Sequence, residues 1–209
     1  YIGAKGKKVV ISVGASYLSE IDEAIRALKD VGCKDIAVLH CVLSYPTLSE
    51  DANLRNIETL KKIYSDVEIG LSDHVAPDEN MITLATAYLL GADIIEKHFT
   101  LNKLLPGNDH YHSGDPEDFK KAISNFKLIN QLLGSNEKKL LECEKTPRLE
   151  ARRSLVLTRS LKKGEIIQEN DITAKRPGTG IAPKYSSIVT GRKVVCDLEE
   201  DTILTWDMI

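Results

Sequence analysis

The chain has 209 residues, a net charge of -3, and 42% apolar, 28% charged and 5% aromatic content, the profile of an ordinary soluble globular protein of one or two domains. No apolar run approaches the roughly 18 residues of a membrane span and no charged-then-apolar leader opens the sequence, while the near-balanced charge gives no electrostatic case for nucleic acid as the main partner. Four cysteines, Cys33, Cys41, Cys143 and Cys196, lie far apart without a CxxC pair, which excludes a disulfide scaffold or zinc ribbon and fits reduced structural thiols in a cytoplasm.

In chain order, residues 9–13, 36–40, 67–71 and 94–99 are short, β-branched and mostly apolar runs, as strands covered on both faces are. Each precedes a helical pattern. Leu18, Ile21, Ala24, Ile25 and Leu28 form the first, with Ser19 and Asp22 offering a capping box. Leu54, Ile57, Leu60 and Tyr64 form the second, and Met81, Leu84, Ala85, Tyr88 and Leu89 the third. Phe119, Ile123, Phe126, Leu132 and Leu133 form the fourth, behind a Pro116 suited to a first helical turn. The strand-like runs start 27 to 31 residues apart, close to the ~31 of an eight-unit βα barrel. No GxGxxG follows any of them, which weakens a dinucleotide fold. The predicted fold is therefore α/β: a TIM-type (β/α) barrel with about four βα units present, residues 1–134.

The pattern changes near Ser135. Residues 135–152 are charged, contain Pro147 and read as a linker or extended arm. Residues 153–209 hold short β-like runs (SLVLT, KVVCDL) broken by Lys163-Gly164, Pro177-Gly178 and Gly180, which predicts a small, mostly β domain.

Ligands collect at the carboxyl ends of parallel strands. In order, those ends carry Ser12 and Gly14; His40, Cys41 and Tyr45-Pro46-Thr47; Ser72-Asp73-His74; and Glu96-Lys97-His98 followed by Gly107-Asn108-Asp109-His110. His74 and His98 end consecutive strands, and strands roughly 4.8 Å apart let two imidazoles converge on one ion, suiting Mn²⁺ or Zn²⁺. Hydrogen bonding at the strand mouths, or one histidine as general base, fits the same spacing. Asp109 reads as a further ligand, a sugar-hydroxyl acceptor or a turn residue. His110 and His112 read as solvated loop positions, and His40 as a satisfied core histidine. Tyr45-Pro46-Thr47 reads as a rigid loop presenting a side chain, or as a plain turn. In Lys175-Arg176-Pro177-Gly178 the guanidinium suits bidentate recognition of an anion, a solvated basic turn being the default.

At these residues the sequence resembles the sialic acid synthases, with their pseudaminic, legionaminic and spore-coat polysaccharide relatives. The resemblance rests on VVISVGAS, LHCVLSYPT, GLSDH, GADIIEKHFTL and GNDHYHSGDPEDF, and on RRSLVLTRSLKKGEIIQENDITAKRPGTGI, which is similar to the antifreeze-like SAF domain that ends these enzymes. It covers essentially the whole chain. It implies a metal-dependent aldol-type condensation, in which the methylene carbon of phosphoenolpyruvate adds to the aldehyde of N-acetylmannosamine or a related amino sugar. Water attacks the neighbouring carbon, the C–O bond breaks, phosphate leaves, and a nine-carbon 2-keto acid results. By position, His74 and His98 match the ligands of Mn²⁺, with Mg²⁺ or Co²⁺ as alternatives; Ser12 and Ser72 match phosphoenolpyruvate-binding positions; Tyr45 and Asp109 match sugar-binding positions. Glu144, which falls in the arm, is also carried over as a substrate-binding position. Arg176 matches an arginine that reaches the partner's site in a domain-swapped homodimer.

Three departures bear on the sugar: Val75 replaces a threonine, Asn108 a proline, and Leu43 a polar position. The resemblance also implies about eight βα units before the SAF domain, with the general acid/base glutamate and most phosphoenolpyruvate-binding lysines in the first four. The expectation is therefore that this chain starts near the fifth strand and is not fully active alone. A non-catalytic dimerisation or sugar-binding module derived from such a synthase is the alternative.

Overall fold

A computed structural model describes residues 1–209. The chain divides into two compact units, Tyr1–Gly134 and Ser135–Ile209. No helix is long and apolar enough to cross a membrane.

In the first unit, strands β1 (Val9–Ser12), β2 (Ile36–Cys41), β3 (Glu68–Asp73) and β4 (Ile95–Lys97) form one sheet in the order β1-β2-β3-β4. Every pairing is parallel. The crossovers run through helices α1 (Leu18–Asp30), α2 (Asn56–Ile63) and α3 (Ile82–Leu89), and α4 (Pro116–Leu133) follows β4. Sequential strand order with a helix after each strand is half of a (β/α)8 wall. Side chains alternate across a strand, so Val9, Ile36, Val38, Ile69 and Leu71 join Ile21, Ile25, Ile57, Leu60, Leu84 and Ala122 of the helices in one core. β2 is buried along its whole length, in keeping with the apolar run at residues 36–39.

Local chemistry sets the helix starts. Asp115 accepts from the backbone N–H groups of Glu117 and Asp118 at the head of α4, with Pro116 in the first turn, where a missing N–H costs nothing. The Ser19/Asp22 box expected for α1 does not form: Glu20 accepts from the Tyr17 N–H at 2.7 Å, and Asp22 pairs with Arg26 one turn on. The helix starts one residue before Ser19, so the capping carboxylate shifts with it.

Gly70 sits where β3 passes closest to the backbone preceding β4. A Cβ there would collide with the Ile94 carbonyl and the Leu39 side chain. Gly70→Ala is expected to destabilise this unit by about 1–3 kcal/mol, the usual cost of overpacking; urea unfolding followed by circular dichroism measures it.

The second unit opens with a 3-10 turn at Glu142–Glu144 and helix α5 (Lys145–Ala151). The stretch read as a linker therefore contains a helix. Pro147 is its third residue, inside the first turn, where N–H groups have no intrahelical partner. Strands β5 (Ser154–Leu157) and β6 (Ile172–Lys175) pair antiparallel. The KVVCDL run forms no strand; it makes single bridges, Ile166 to Lys193 and Leu161 to Leu198. A short helix, α6 (Ser186–Val189), completes the unit, and Leu155, Leu157, Leu161, Ile167, Val194 and Leu204 fill its core.

Arg159 makes a two-pronged contact with the buried Asp171, Nε to Oδ1 at 2.6 Å and Nη2 to Oδ2 at 3.1 Å. That guanidinium holds the Asp171 carboxyl below its ordinary value of 3.8, against the opposing effect of burial. A carboxylate depressed in the folded state contributes stability that is present above its unfolded pKa and lost as pH falls through the folded one. The fluorescence of Trp206, the one tryptophan, is expected to report a urea midpoint that drops between about pH 5 and 2. Arg159→Met should lower the midpoint at pH 7 and flatten that slope.

Candidate functional site

The register of the sheet assembles the site. Cys41 lies opposite Ser72, Ser72 opposite Glu96, and Asp73 opposite Lys97. With a period of two, His74 and His98 fall on the same sheet face as Ser72 and Glu96, one residue past the ends of β3 and β4. The rows alternate in role. Ser72 donates its hydroxyl to Glu96 at 2.6 Å. The next row is an ion pair, Lys97 Nζ to Asp73 Oδ2 at 2.8 Å, with side chains 1% and 3% exposed. Lys97 also donates to the Val75 carbonyl at 2.6 Å, and the Val75 N–H donates to Asp73 at 3.0 Å. This pair ties β3 to β4 one residue before the two histidines, on the opposite face of the sheet.

His74 is buried, and its Nδ1 lies 2.9 Å from the Val42 carbonyl. A carbonyl can only accept, so this contact places the proton on Nδ1 and leaves the Nε2 lone pair free, the tautomer of a metal-binding imidazole. The rings of His74 and His98 lie 5.2 Å apart, edge to face. Tyr45 packs against them with its ring tilted, 4.1 Å from the His74 ring and 5.9 Å from the His98 ring. Its loop is pinned by the Thr47 N–H, which donates to the His74 carbonyl at 2.9 Å. Burial first, then the acidic groups around it, pushes the Tyr45 phenol above its ordinary value of 10.0, so this hydroxyl remains a donor at neutral pH.

The long segment after β4 folds back onto that strand. The Gly114 N–H donates to the His98 carbonyl at 2.8 Å and the Thr100 N–H to the Gly114 carbonyl at 2.9 Å. The Ser113 hydroxyl closes the loop onto the Asp109 carbonyl at 2.6 Å. Asp109 is thereby held 3.8 Å from His98 Nδ1, with its side chain 62% exposed.

The loop also overturns the reading of His112 as solvated, while His110 stays partly exposed. Thr100 and His110 Nδ1 lie 2.7 Å apart. His112 is 1% exposed, its ring 5.3 Å from that of His98, and neither of its nitrogens has a hydrogen-bond partner. Burial, then the neighbouring His98, keeps its pKa below the ordinary 6.5, so the ring is neutral at pH 7. His98, Asp109 and His112 can bring their donor atoms within 4.8 Å of one another.

The structure thus gathers Tyr45, Ser72, His74, His98 and Asp109. Ser12 is exposed at the end of β1, two strands from β3. Glu144 and Arg176 belong to the second unit. The Glu144 carboxylate accepts from the Leu141 N–H at 2.9 Å. Arg176 is exposed at the end of β6 and donates through Nε to the Ala151 carbonyl at 3.1 Å. His40 is buried with Nε2 2.8 Å from the Ala52 carbonyl, the core histidine expected from its apolar strand.

Imidazoles, one with Nδ1 engaged by a carbonyl and another buried without partners, beside a carboxylate, fit a divalent cation. In comparison with known proteins, residues 1–138 match the NeuB family. The chain belongs to the NeuB family. Residues 152–209 match the SAF domain. The chain is 46% identical over 206 residues to an uncharacterized protein of Methanocaldococcus jannaschii, covering 99% of this chain and 60% of that one. It is 36% identical over 213 residues to the N,N'-diacetyllegionaminic acid synthase of Legionella pneumophila, covering 100% and 59%. The crystal structure of the spore coat polysaccharide biosynthesis protein SpsE of Bacillus subtilis superposes with a TM-score of 0.59 at 32% identity, covering 100% of this chain and 63% of that one. The chain therefore spans about three-fifths of the length of these NeuB relatives.

Within the NeuB match, three contributions escape a reading by strand ends alone. Asp73 and Lys97 are visible in the SDH and EKH triplets, yet only the β3–β4 register shows that they pair. Glu96 gains its Ser72 partner through the same register. The burial of His112 depends on Gly114 bridging back to β4 and has no local sequence signal.

Proposed function

We propose that this chain carries the metal- and sugar-binding part of a nonulosonic (sialic) acid synthase, condensing phosphoenolpyruvate with N-acetylmannosamine or a related N-acetylated amino sugar to give a nine-carbon 2-keto acid and phosphate. The observation that carries the reading is the His74 tautomer: Nδ1 on the Val42 carbonyl leaves Nε2 free beside His98, in a chain of the NeuB family. His74 and His98 hold the divalent cation, Mn²⁺ with Mg²⁺ or Co²⁺ as alternatives, which when bound supplies Lewis acidity at the aldehyde oxygen of the sugar.

The surrounding residues bind and orient. Ser12 and Ser72 contact phosphoenolpyruvate. Tyr45 donates its hydroxyl to the sugar and walls the site with its ring, while Asp109, exposed above His98, accepts from a sugar hydroxyl. Glu144 belongs to the arm that brings the SAF unit across in a domain-swapped homodimer. The guanidinium of Arg176 clamps the sugar from the partner copy, its terminal nitrogens carrying no partner within its own unit. β1 and β4 each pair on one side only, and the full reaction is proposed for the complete barrel in the cytoplasm, these four βα units supplying half of it.

Ligand-observed NMR on the full chain tests the reading. Phosphoenolpyruvate should bind only when Mg²⁺ is present, and N-acetylmannosamine should bind more tightly once phosphoenolpyruvate is there. Sugar binding indifferent to both cation and phosphoenolpyruvate would favour a non-catalytic sugar-binding module instead. Phosphate release from phosphoenolpyruvate by the 209-residue chain alone is expected to be absent.

A further inference from the structure

We infer that His112 is a third imidazole ligand to the divalent cation, joining His74 and His98; this rests on the metal site proposed above. Buried polar atoms nearly always have a partner, and an exception calls for a reason. His112 is such an exception twice over, since both ring nitrogens are buried and unpaired. A neutral imidazole offers one N–H and one lone pair, and a cation beside the ring would engage the lone pair. The other histidines of the region spend their Nδ1 atoms otherwise: His74 on the Val42 carbonyl and His110 on Thr100.

The spacing fits the role. Asp109 lies 3.8 Å from His98 Nδ1 and 4.0 Å from His112 Nε2. Both separations are too long for hydrogen bonds. They match two donors on one ion with bonds of about 2.0–2.2 Å, whose separation runs up to about twice that length. The backbone bonds from Gly114 to His98 and from Thr100 to Gly114 hold the loop in place, so His98, Asp109 and His112, whose donor atoms lie within 4.8 Å of one another, are gathered before any ion arrives.

A third imidazole has a consequence for selectivity. Nitrogen-rich sites favour Zn²⁺ and Co²⁺, whereas Mg²⁺ takes oxygen-rich ones. This chain should therefore hold Zn²⁺ and Co²⁺ markedly more tightly than Mg²⁺, and removing His112 should narrow that gap.

The test uses the full chain, with Zn²⁺ as a diamagnetic probe and the ring ¹⁵N signals of the five histidines as the readout. That readout ignores any Zn²⁺ taken by the exposed thiols Cys143 and Cys196. Three histidines should shift, and calorimetry with Co²⁺ should show affinity falling by about tenfold or more in His112→Gln, with His110→Asn unchanged. Two shifting histidines, with His112→Gln folded and binding like the parent, overturn the inference and leave the His74–His98 site standing. If His112→Gln does not fold, the count on the unaltered chain decides alone. Histidine rings that Zn²⁺ leaves unmoved would remove both readings together.

Discussion

Lys97→Met is expected to destabilise the first unit by about 3–5 kcal/mol, the cost of leaving one member of a buried ion pair without its partner. Asp73 and Lys97 are almost fully enclosed, 2.8 Å apart. Without Lys97 the Asp73 carboxylate keeps only the Val75 N–H, and the Val75 carbonyl loses its donor. Replacing both, as Asp73→Leu/Lys97→Met, should recover part of the loss, because apolar residues of similar volume often substitute for a buried pair at little cost. Urea unfolding monitored by circular dichroism measures both variants. A single-variant loss below about 1 kcal/mol would show that the pair is solvated, as exposed pairs are. The pair also ties together the two strands that carry the histidines, so conditions that leave Lys97→Met folded should still show weakened cation binding.

The second large effect belongs to the histidines. His74→Ala and His98→Ala are each expected to lower Mn²⁺ affinity by about 100-fold, since even outer partners of metal ligands are worth about 10–100-fold. His40→Ala is the matched control. That imidazole is buried against the Ala52 carbonyl in the segment between β2 and α2, so its loss should reduce stability while leaving cation affinity in the surviving folded protein nearly unchanged. Equal affinity losses in all three variants would mean that the effect follows from general loosening of the sheet.

Much of the fold can be read from the sequence because the βα repeat is a repeat of hydrophobic period. β2 is apolar over residues 36–39 and buried along its whole length, and the fourth helix begins where Pro116 requires. The ends of strands are legible for the opposite reason: Ser72, Asp73, His74 and Glu96, Lys97, His98 are poor strand formers placed where strands stop. Long-range register is another matter. That Asp73 meets Lys97, or that Ser72 meets Glu96, depends on how far β4 slides along β3, and no local pattern encodes it. The loop after β4 is harder still. Gly107-Asn108-Asp109 is strong turn chemistry and invites the reading of a solvated excursion, whereas two backbone bonds at Gly114 draw the loop back and bury His112. In the second unit KVVCDL has strand composition but forms single bridges only, because chain turns at Gly164 and Gly191, both at positive φ, leave it no continuous neighbour to pair with.

The most direct measurement is calorimetric titration of Mn²⁺ into the 209-residue chain and into its His74→Ala/His98→Ala variant, each with and without phosphoenolpyruvate. The strand-mouth site predicts one Mn²⁺ bound per chain, tightened by phosphoenolpyruvate and abolished in the double variant. A folded parent chain that takes up no Mn²⁺ in either condition, or a double variant that binds as the parent does, would contradict it.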